Sequence, residues 1–306
     1  MVNFLGEWSK KAWVRSTDLP TFHLNKIGYY FKPSLVPISL HPLVAKESPE
    51  IEEKLQVQHL YGYLDATEVL ETDIINRGLL NLIRGNTPLN IPSDLLEEAY
   101  KIYTDEGFHA LESYKLKKNI EILTNEPFVP LSTPPTNVVL LEEALNKVSE
   151  EYYNLAHLIA CCVNETLISG NLLQANDPLL NPSIRFYIES HARDEAKHHL
   201  FFTHLFNVIW SHLLQHERKK ISMILPLFIK SFLSINFSAV RNNLFRVGFS
   251  QNEVEEIIQD SYLQKDINEA LNKSSKATLR IFAQNGVFNI SSVRDCFINE
   301  GFTIPS

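Results

Sequence analysis

The stretch His191-Ala-Arg-Asp-Glu-Ala-Lys-His198 sets His191, Glu195 and His198 at i, i+4 and i+7. At about 100° per residue these side chains share one stripe of a helix, within roughly 60° of arc. Such a face is not ordinary core, because buried polar groups must be hydrogen-bonded, paired or coordinated. It is either solvated or holding a metal.

A second stretch, Asp105-Glu-Gly-Phe-His109, repeats the pattern of Asp194-Glu-Ala-Lys-His198. With 11 His and 36 acidic residues in 306, a lone Glu-x-x-His is expected about once by chance. Two copies that each carry the preceding Asp arise roughly once in a thousand shuffled sequences. The pair is therefore signal.

Around these stretches the chain reads as all-α. A helical pattern runs from about 51 to 84 and stops at Gly85-Asn-Thr-Pro88. A second helix, about 93–123, opens with Asp94 and Glu97 at capping-box spacing. Pro127, Pro130, Pro134 and Pro135 make the next segment a crossover. A third helix is expected over about 138–174 and a fourth over about 183–215. Four long helices with one long connection are the arrangement expected of a two-plus-two four-helix bundle with a crossover. Further helices are expected at about 221–247, 251–262, 267–285 and 291–299, with stops at Gly248, Gly286 and Gly301. Residues 1–49, with five prolines and little periodicity, read as an irregular segment wrapped over the body. No composition shift divides the chain, so 1–306 reads as one domain.

Composition narrows the function classes. The chain is 44% hydrophobic, 21% charged and carries a formal net charge of −8, which argues against a nucleic-acid partner. Its three cysteines lack C-x-x-C spacing, so neither a disulfide framework nor a zinc site is indicated. With no apolar leader at the N-terminus and the apolar run 221–240 interrupted by Pro226, Lys230 and Asn236, no membrane span is expected and a cytoplasmic location fits.

A di-iron carboxylate bundle takes one Glu from each of two helices and Glu-x-x-His from each of the other two. Glu106/His109 and Glu195/His198 fill the second and fourth helices. The third supplies Glu165, alone in the weakly polar Cys161-Cys-Val-Asn-Glu165-Thr-Leu-Ile. On the first, Glu68 and Glu71 both qualify; Glu71, beside Leu70, Ile74 and Ile75, is preferred. This oxygen-rich set suits iron, with manganese as the alternative, rather than structural zinc. Asp105 and Asp194 are placed to orient the histidine of the opposite helix pair. His191, one turn before Glu195, is either a further ligand or a hydrogen-bonded core histidine. Bundle-facing positions near the ligands are Thr67, Tyr103, Ala110, Cys162, Ile168, Tyr187 and Phe202.

Together these residues resemble the ferritin-like di-iron N-oxygenases typified by the p-aminobenzoate N-oxygenase of the aureothin pathway. Glu71 matches the first carboxylate of that family, Glu106 and His109 its first Glu-x-x-His, and Glu165 its third-helix carboxylate. His191, Glu195 and His198 match its His-x-x-x-Glu-x-x-His helix, extra histidine included. The resemblance implies two Fe ions, O2 as co-substrate and an external electron-donating reductase. It also implies oxidation of an amine nitrogen, through hydroxylamine and nitroso toward nitro, in a secondary-metabolite pathway. The substrate would be an arylamine or an amino-acid-derived compound, free or tethered to a carrier protein. A homodimer is expected, its interface sought in the C-terminal helices. The competing readings are a hydroxylase or desaturase acting on carbon, and a radical or storage protein with Tyr103 or Tyr187 as radical site.

Overall fold

The computed structural model describes residues 3–16, 27–87, 89, 91–130 and 135–305. Pro20, Pro88 and Pro134, placed above in irregular or connecting segments, lie outside them. The described residues are 78% helical and hold no strand beyond one isolated bridge, Tyr29 with Leu180.

Helix α1 runs Pro49–Val69, passes through a π-helical stretch Leu70–Ile75, and resumes as Asn76–Ile83. It ends at Gly85, whose φ of 69° is left-handed and free of Cβ strain. α2, Ser93–Thr124, is capped by Asn125 in the left-handed region. It starts after Pro92 with no side-chain cap, so the Asp94/Glu97 capping box expected above is not its start signal.

The single third helix expected over 138–174 is two. α3 spans Thr136–Leu145 and α4 spans Tyr153–Ala175, with a short 3-10 turn, Glu150–Tyr152, before α4. α5, Pro182–His212, begins where Asn181 accepts from the Ser183 N–H and Pro182 fills the first turn.

The expected helix 221–247 is likewise replaced, by α6 (Gln215–Ser222), α7 (Leu225–Leu233) and α8 (Phe237–Arg246). Pro226 has no N–H to give and sits in the first turn of α7, while Asn236 caps α8 through the Ala239 N–H at 3.0 Å. The 32 residues from Gln215 to Arg246 reach the length and hydropathy of a membrane span. As helices of 8, 9 and 10 residues, they fall short of the roughly 20 that one needs. α9 (Gln251–Ser261), α10 (Gln264–Gln284) and α11 (Ser291–Asn299) follow.

α1 packs on α2 and α4 on α5, and the two pairs meet through α1 with α4 and α2 with α5. α10 lies against α4, where the Thr278 and Thr166 hydroxyls meet at 2.8 Å. Two apolar cores result. One gathers Ile75, Leu79, Ile102, Ile159, Phe202 and Phe206; the other gathers Leu60, Leu64, Leu116, Leu172, Ile184 and Ile188. Between them the four long helices bring in carboxylates and imidazoles instead of hydrocarbon.

Candidate metal centre

All seven side chains singled out as ligands meet in this layer. Glu71 on α1, Glu106 and His109 on α2, Glu165 on α4, and His191, Glu195 and His198 on α5 are each no more than 2% exposed. Glu71 is the second residue of the π-helical stretch, a distortion that recurs at functional sites because it re-aims one turn of side chains. Glu68 is not in the cluster: its Oε1 lies 2.8 Å from the Lys117 ammonium on the flank of α2.

Two overlapping sets of donor atoms converge. Glu71, His109, His191 and Glu195 form one and Glu106, Glu165, Glu195 and His198 the other, with all atoms of a set within 4.8 Å of one another. Glu195 belongs to both. Glu106 also straddles them, its Oε2 3.0 Å from His109 Nδ1 and its Oε1 3.0 Å from His198 Nδ1. His191 Nε2 approaches Glu71 Oε1 at 3.3 Å and Glu195 Oε1 at 3.2 Å.

These contacts do not satisfy the cluster from within. Glu71 Oε2, Glu165 Oε2, Glu195 Oε2 and both ring nitrogens of His191 have no hydrogen-bond partner. Buried oxygens and nitrogens left in this state are costly unless something else binds them. Burial, then the neighbouring charge of Glu106, holds the Glu71 carboxyl well above the usual carboxylate range. Burial, then Glu195 and Glu106, does the same to Glu165. Burial opposes charge on His191, but the Glu195 and Glu71 carboxylates prevail and push it up to about 10. Four buried carboxylates repel until cations join them, and two divalent ions fit this donor set.

Asp105 and Asp194 stand behind the histidines. Asp105 Oδ2 is 3.2 Å from His198 Nε2 and Asp194 Oδ2 is 3.6 Å from His109 Nε2, each reaching from one helix pair to the other. Both rings turn Nδ1 toward the cluster carboxylates, with the Asp105 contact to His198 a hydrogen bond and the longer Asp194 contact to His109 an ion-pair approach only. Burial opposes charge on Asp194, but His109 draws it down to about 2.

Sequence reading missed the N-terminal segment. The Trp8 indole N–H donates to Asp105, 2.8 Å from both oxygens, and the Trp13 backbone N–H donates to Asp194 at 3.0 Å. The Leu5 N–H donates to Glu98 on α2. Two of the chain's three tryptophans within six residues were the available hint.

The sequence profile described as P-aminobenzoate N-oxygenase AurF matches residues 3–285, nearly the whole chain and every residue of the cluster. The chain belongs to that family. Members are O2-dependent, non-haem di-iron N-oxygenases, so this N-oxygenase is an oxidoreductase with a di-iron centre that acts on an amine and needs electron donation. No curated protein matches it.

The positions expected to face the bundle divide. Thr67, Ala110, Cys162, Tyr187 and Phe202 are buried, and the Tyr187 ring lies edge-on to His191 with centroids 5.7 Å apart. Ile168 is half-buried. Tyr103 is the correction: it is 39% exposed, on the solvent side of α2 rather than in the buried layer. A cavity of about 540 Å³, lined by Lys147, Tyr152, Glu217, Lys220 and Leu227 among others, opens beside the N-terminal end of α4. It holds none of the seven residues.

Proposed function

We propose that Glu71, His109, His191, Glu106 and Glu195 hold one iron and that Glu106, Glu165, Glu195 and His198 hold the other. Glu106 and Glu195, which lie near both sets of donors, would serve both ions, and Asp105 and Asp194 would orient His198 and His109. The observation that carries this reading is the convergence of seven buried donors, several without protein partners, into two sets that share a carboxylate. Two irons held there would supply the chemistry of O2 activation, with electrons from an external donor. The chain's own residues do the rest. The apolar cores on either side exclude water, and the two Asp–His contacts fix which ring nitrogen faces the cluster.

The substrate in this reading is a small-molecule amine, an arylamine or an amino-acid-derived compound, free or carried on a protein. The p-aminobenzoate in the family's description is the first compound to try. The whole chain acts as one domain, with the C-terminal helices buttressing α4, and it works as a homodimer in the cytoplasm beside its reductase.

The test is metal analysis of the purified protein, followed by 18O2 turnover of an amine panel read by mass spectrometry. Two irons per chain and label on nitrogen support the reading. Label on carbon, or a two-iron protein that oxidises no amine in the panel, contradicts it.

A further inference from the structure

A continuous hydrogen-bonded path leads from the outer layer of the protein to the cluster. The Trp8 indole N–H lies 2.8 Å from both Asp105 oxygens, and Asp105 Oδ2 lies 3.2 Å from His198 Nε2. On its other side His198 Nδ1 is 3.0 Å from Glu106 Oε1 and 3.2 Å from Glu195 Oε1. One carboxylate and one imidazole, both buried, therefore join the half-buried Trp8 ring to the donor set.

The reciprocal support has no such outlet. Asp194 is held by the backbone N–H of Trp13, while the Trp13 ring is 4% exposed and its indole N–H has no partner. A backbone amide is thus enough to satisfy a buried aspartate at this centre. Using an indole for Asp105 adds something an amide cannot give, a large conjugated ring at the outer end of the path.

The turn that carries Trp8 also reverses the sign of the chain's charge. Residues 7–15 hold Lys10, Lys11 and Arg15 against Glu7 alone, on a chain of formal net charge −8. The Lys10 and Lys11 side chains are 76% and 68% exposed, and the Arg15 guanidinium sits 4.8 Å from the centre of the Trp8 ring. A local basic patch steers an acidic partner to the place where it lies.

We propose that electrons enter this protein at Trp8, and that the basic turn around it docks an acidic one-electron carrier protein. This rests on the seven-donor di-iron reading above. Each electron leaves the carrier, which is oxidised by one, and tunnels through Trp8, Asp105 and His198 to the iron that His198 would hold, which is reduced by one from ferric to ferrous. No bond forms or breaks along the path. Trp8 and His198 keep their N–H protons on Asp105, and none of the three side chains changes oxidation state. The indole N–H makes the path continuous, and without it the electron must cross a gap to the carboxylate.

The experiment follows reduction of the oxidised, iron-loaded full chain by stopped-flow absorbance, with an acidic ferredoxin as carrier or with reduced methyl viologen, a small cation that needs no docking face. Calorimetry of oxidised ferredoxin with the same protein reads docking apart from electron transfer, and iron content and circular dichroism are recorded for each variant. Trp8→Phe should slow reduction by ferredoxin several-fold and leave reduction by methyl viologen, iron content and ferredoxin binding as in the parent. Lys10→Glu with Lys11→Glu should weaken ferredoxin binding on the order of tenfold at low salt, an effect that fades as salt is added. Lys273→Glu with Lys276→Glu on α10, the same change in charge at exposed positions elsewhere, should leave binding unchanged. The charge reversals decide the docking face should Trp8→Phe fail to fold. A protein that takes up no iron overturns the metal-centre reading and the route with it. A loaded Trp8→Phe protein whose two reduction rates fall together, or not at all, overturns the route alone. A parent that does not bind ferredoxin, or binding weakened equally by the two charge reversals, overturns the docking face.

Discussion

Asp105 on α2 and His198 on α5 meet across the bundle, Oδ2 to Nε2, at 3.2 Å, and the Trp8 indole N–H holds the same carboxylate at 2.8 Å. Asp194 and His109 form the reciprocal pair at 3.6 Å, held by the Trp13 backbone N–H. The two Asp-Glu-x-x-His helices therefore each supply donors for the cluster and the support for the other's imidazole. An anion behind a ligating histidine fixes its tautomer and raises its basicity.

Asp105→Asn keeps the shape of that support and removes its charge. Metal affinity at the His198 site should fall about 10- to 100-fold, the usual cost of such a change, with the His109 site nearly unaffected. Stepwise titration of the metal-free protein with Fe(II) or Co(II) reads both sites. Equal weakening at the two, or none at either, would show that Asp105 does not act through His198.

Glu71 and Glu68 lie three residues apart but in different worlds. Glu71→Ala removes a buried donor and should cost at least one iron per chain, because it leaves cation charge uncompensated inside the bundle. Glu68→Ala only releases Lys117, which keeps Asp65 at 2.8 Å, and should retain both irons. Elemental analysis of the two purified variants separates them, and the reverse result would move the ligand to Glu68.

Protons and metal compete for this layer. In the metal-free protein His191 is raised from 6.5 to about 10 by its carboxylate neighbours, against the effect of burial. A raised folded pKa contributes stability that is present below the unfolded value and lost as pH climbs through the folded one. The raised carboxyls of Glu71 and Glu165 act in the same direction. Asp194, lowered from 3.8 to about 2, acts oppositely, but only at the acid end, where its contribution is lost as pH falls toward 2. The metal-free Tm should therefore decline between about pH 6.5 and 10, and the loaded protein should not follow it, because cations replace the protons. A metal-free Tm that rises across that window would refute the argument.

What the sequence disclosed and what it hid follow from the range of the forces involved. The cluster was legible because ligand chemistry needs particular residue types at helical spacing, and Asp194-Glu195-x-x-His198 keeps that spacing within one turn. The crossover and the start of α5 were legible because proline and Asn181 act on their own backbone. The break between α3 and α4 was not, since Leu141, Leu145 and Val148 continue an apolar pattern with no Gly or Pro among residues 146–149 to interrupt it. The π-helical turn at Glu71 adds one residue to a helix and leaves no mark on composition. Trp8 and Trp13 find their aspartates 97 and 181 residues away, a distance at which no local pattern speaks.

His191 separates this centre from a plain pair of Glu-x-x-His helices. It is fully buried, its Nε2 lies between Glu71 and Glu195, and neither ring nitrogen has a hydrogen-bond partner. A core histidine would rest as a cation on the two carboxylates 3.2 and 3.3 Å from its Nε2, whereas one aimed at an iron gives the Nε2 lone pair to the metal. His191→Ala should leave six of the seven donors, so two irons still bind, with the site that includes Glu71 and His109 weakened the more. Losing a neutral nitrogen donor raises the effective charge on that iron. The optical spectrum of the oxidised protein should therefore shift and amine oxidation per iron should fall, while the circular dichroism of the loaded protein stays that of the parent. A purely structural histidine gives the opposite pattern: a lower Tm, with spectrum and turnover per folded, loaded chain unchanged. That outcome would remove His191 from the metal site and leave its iron with four protein donors, like its neighbour.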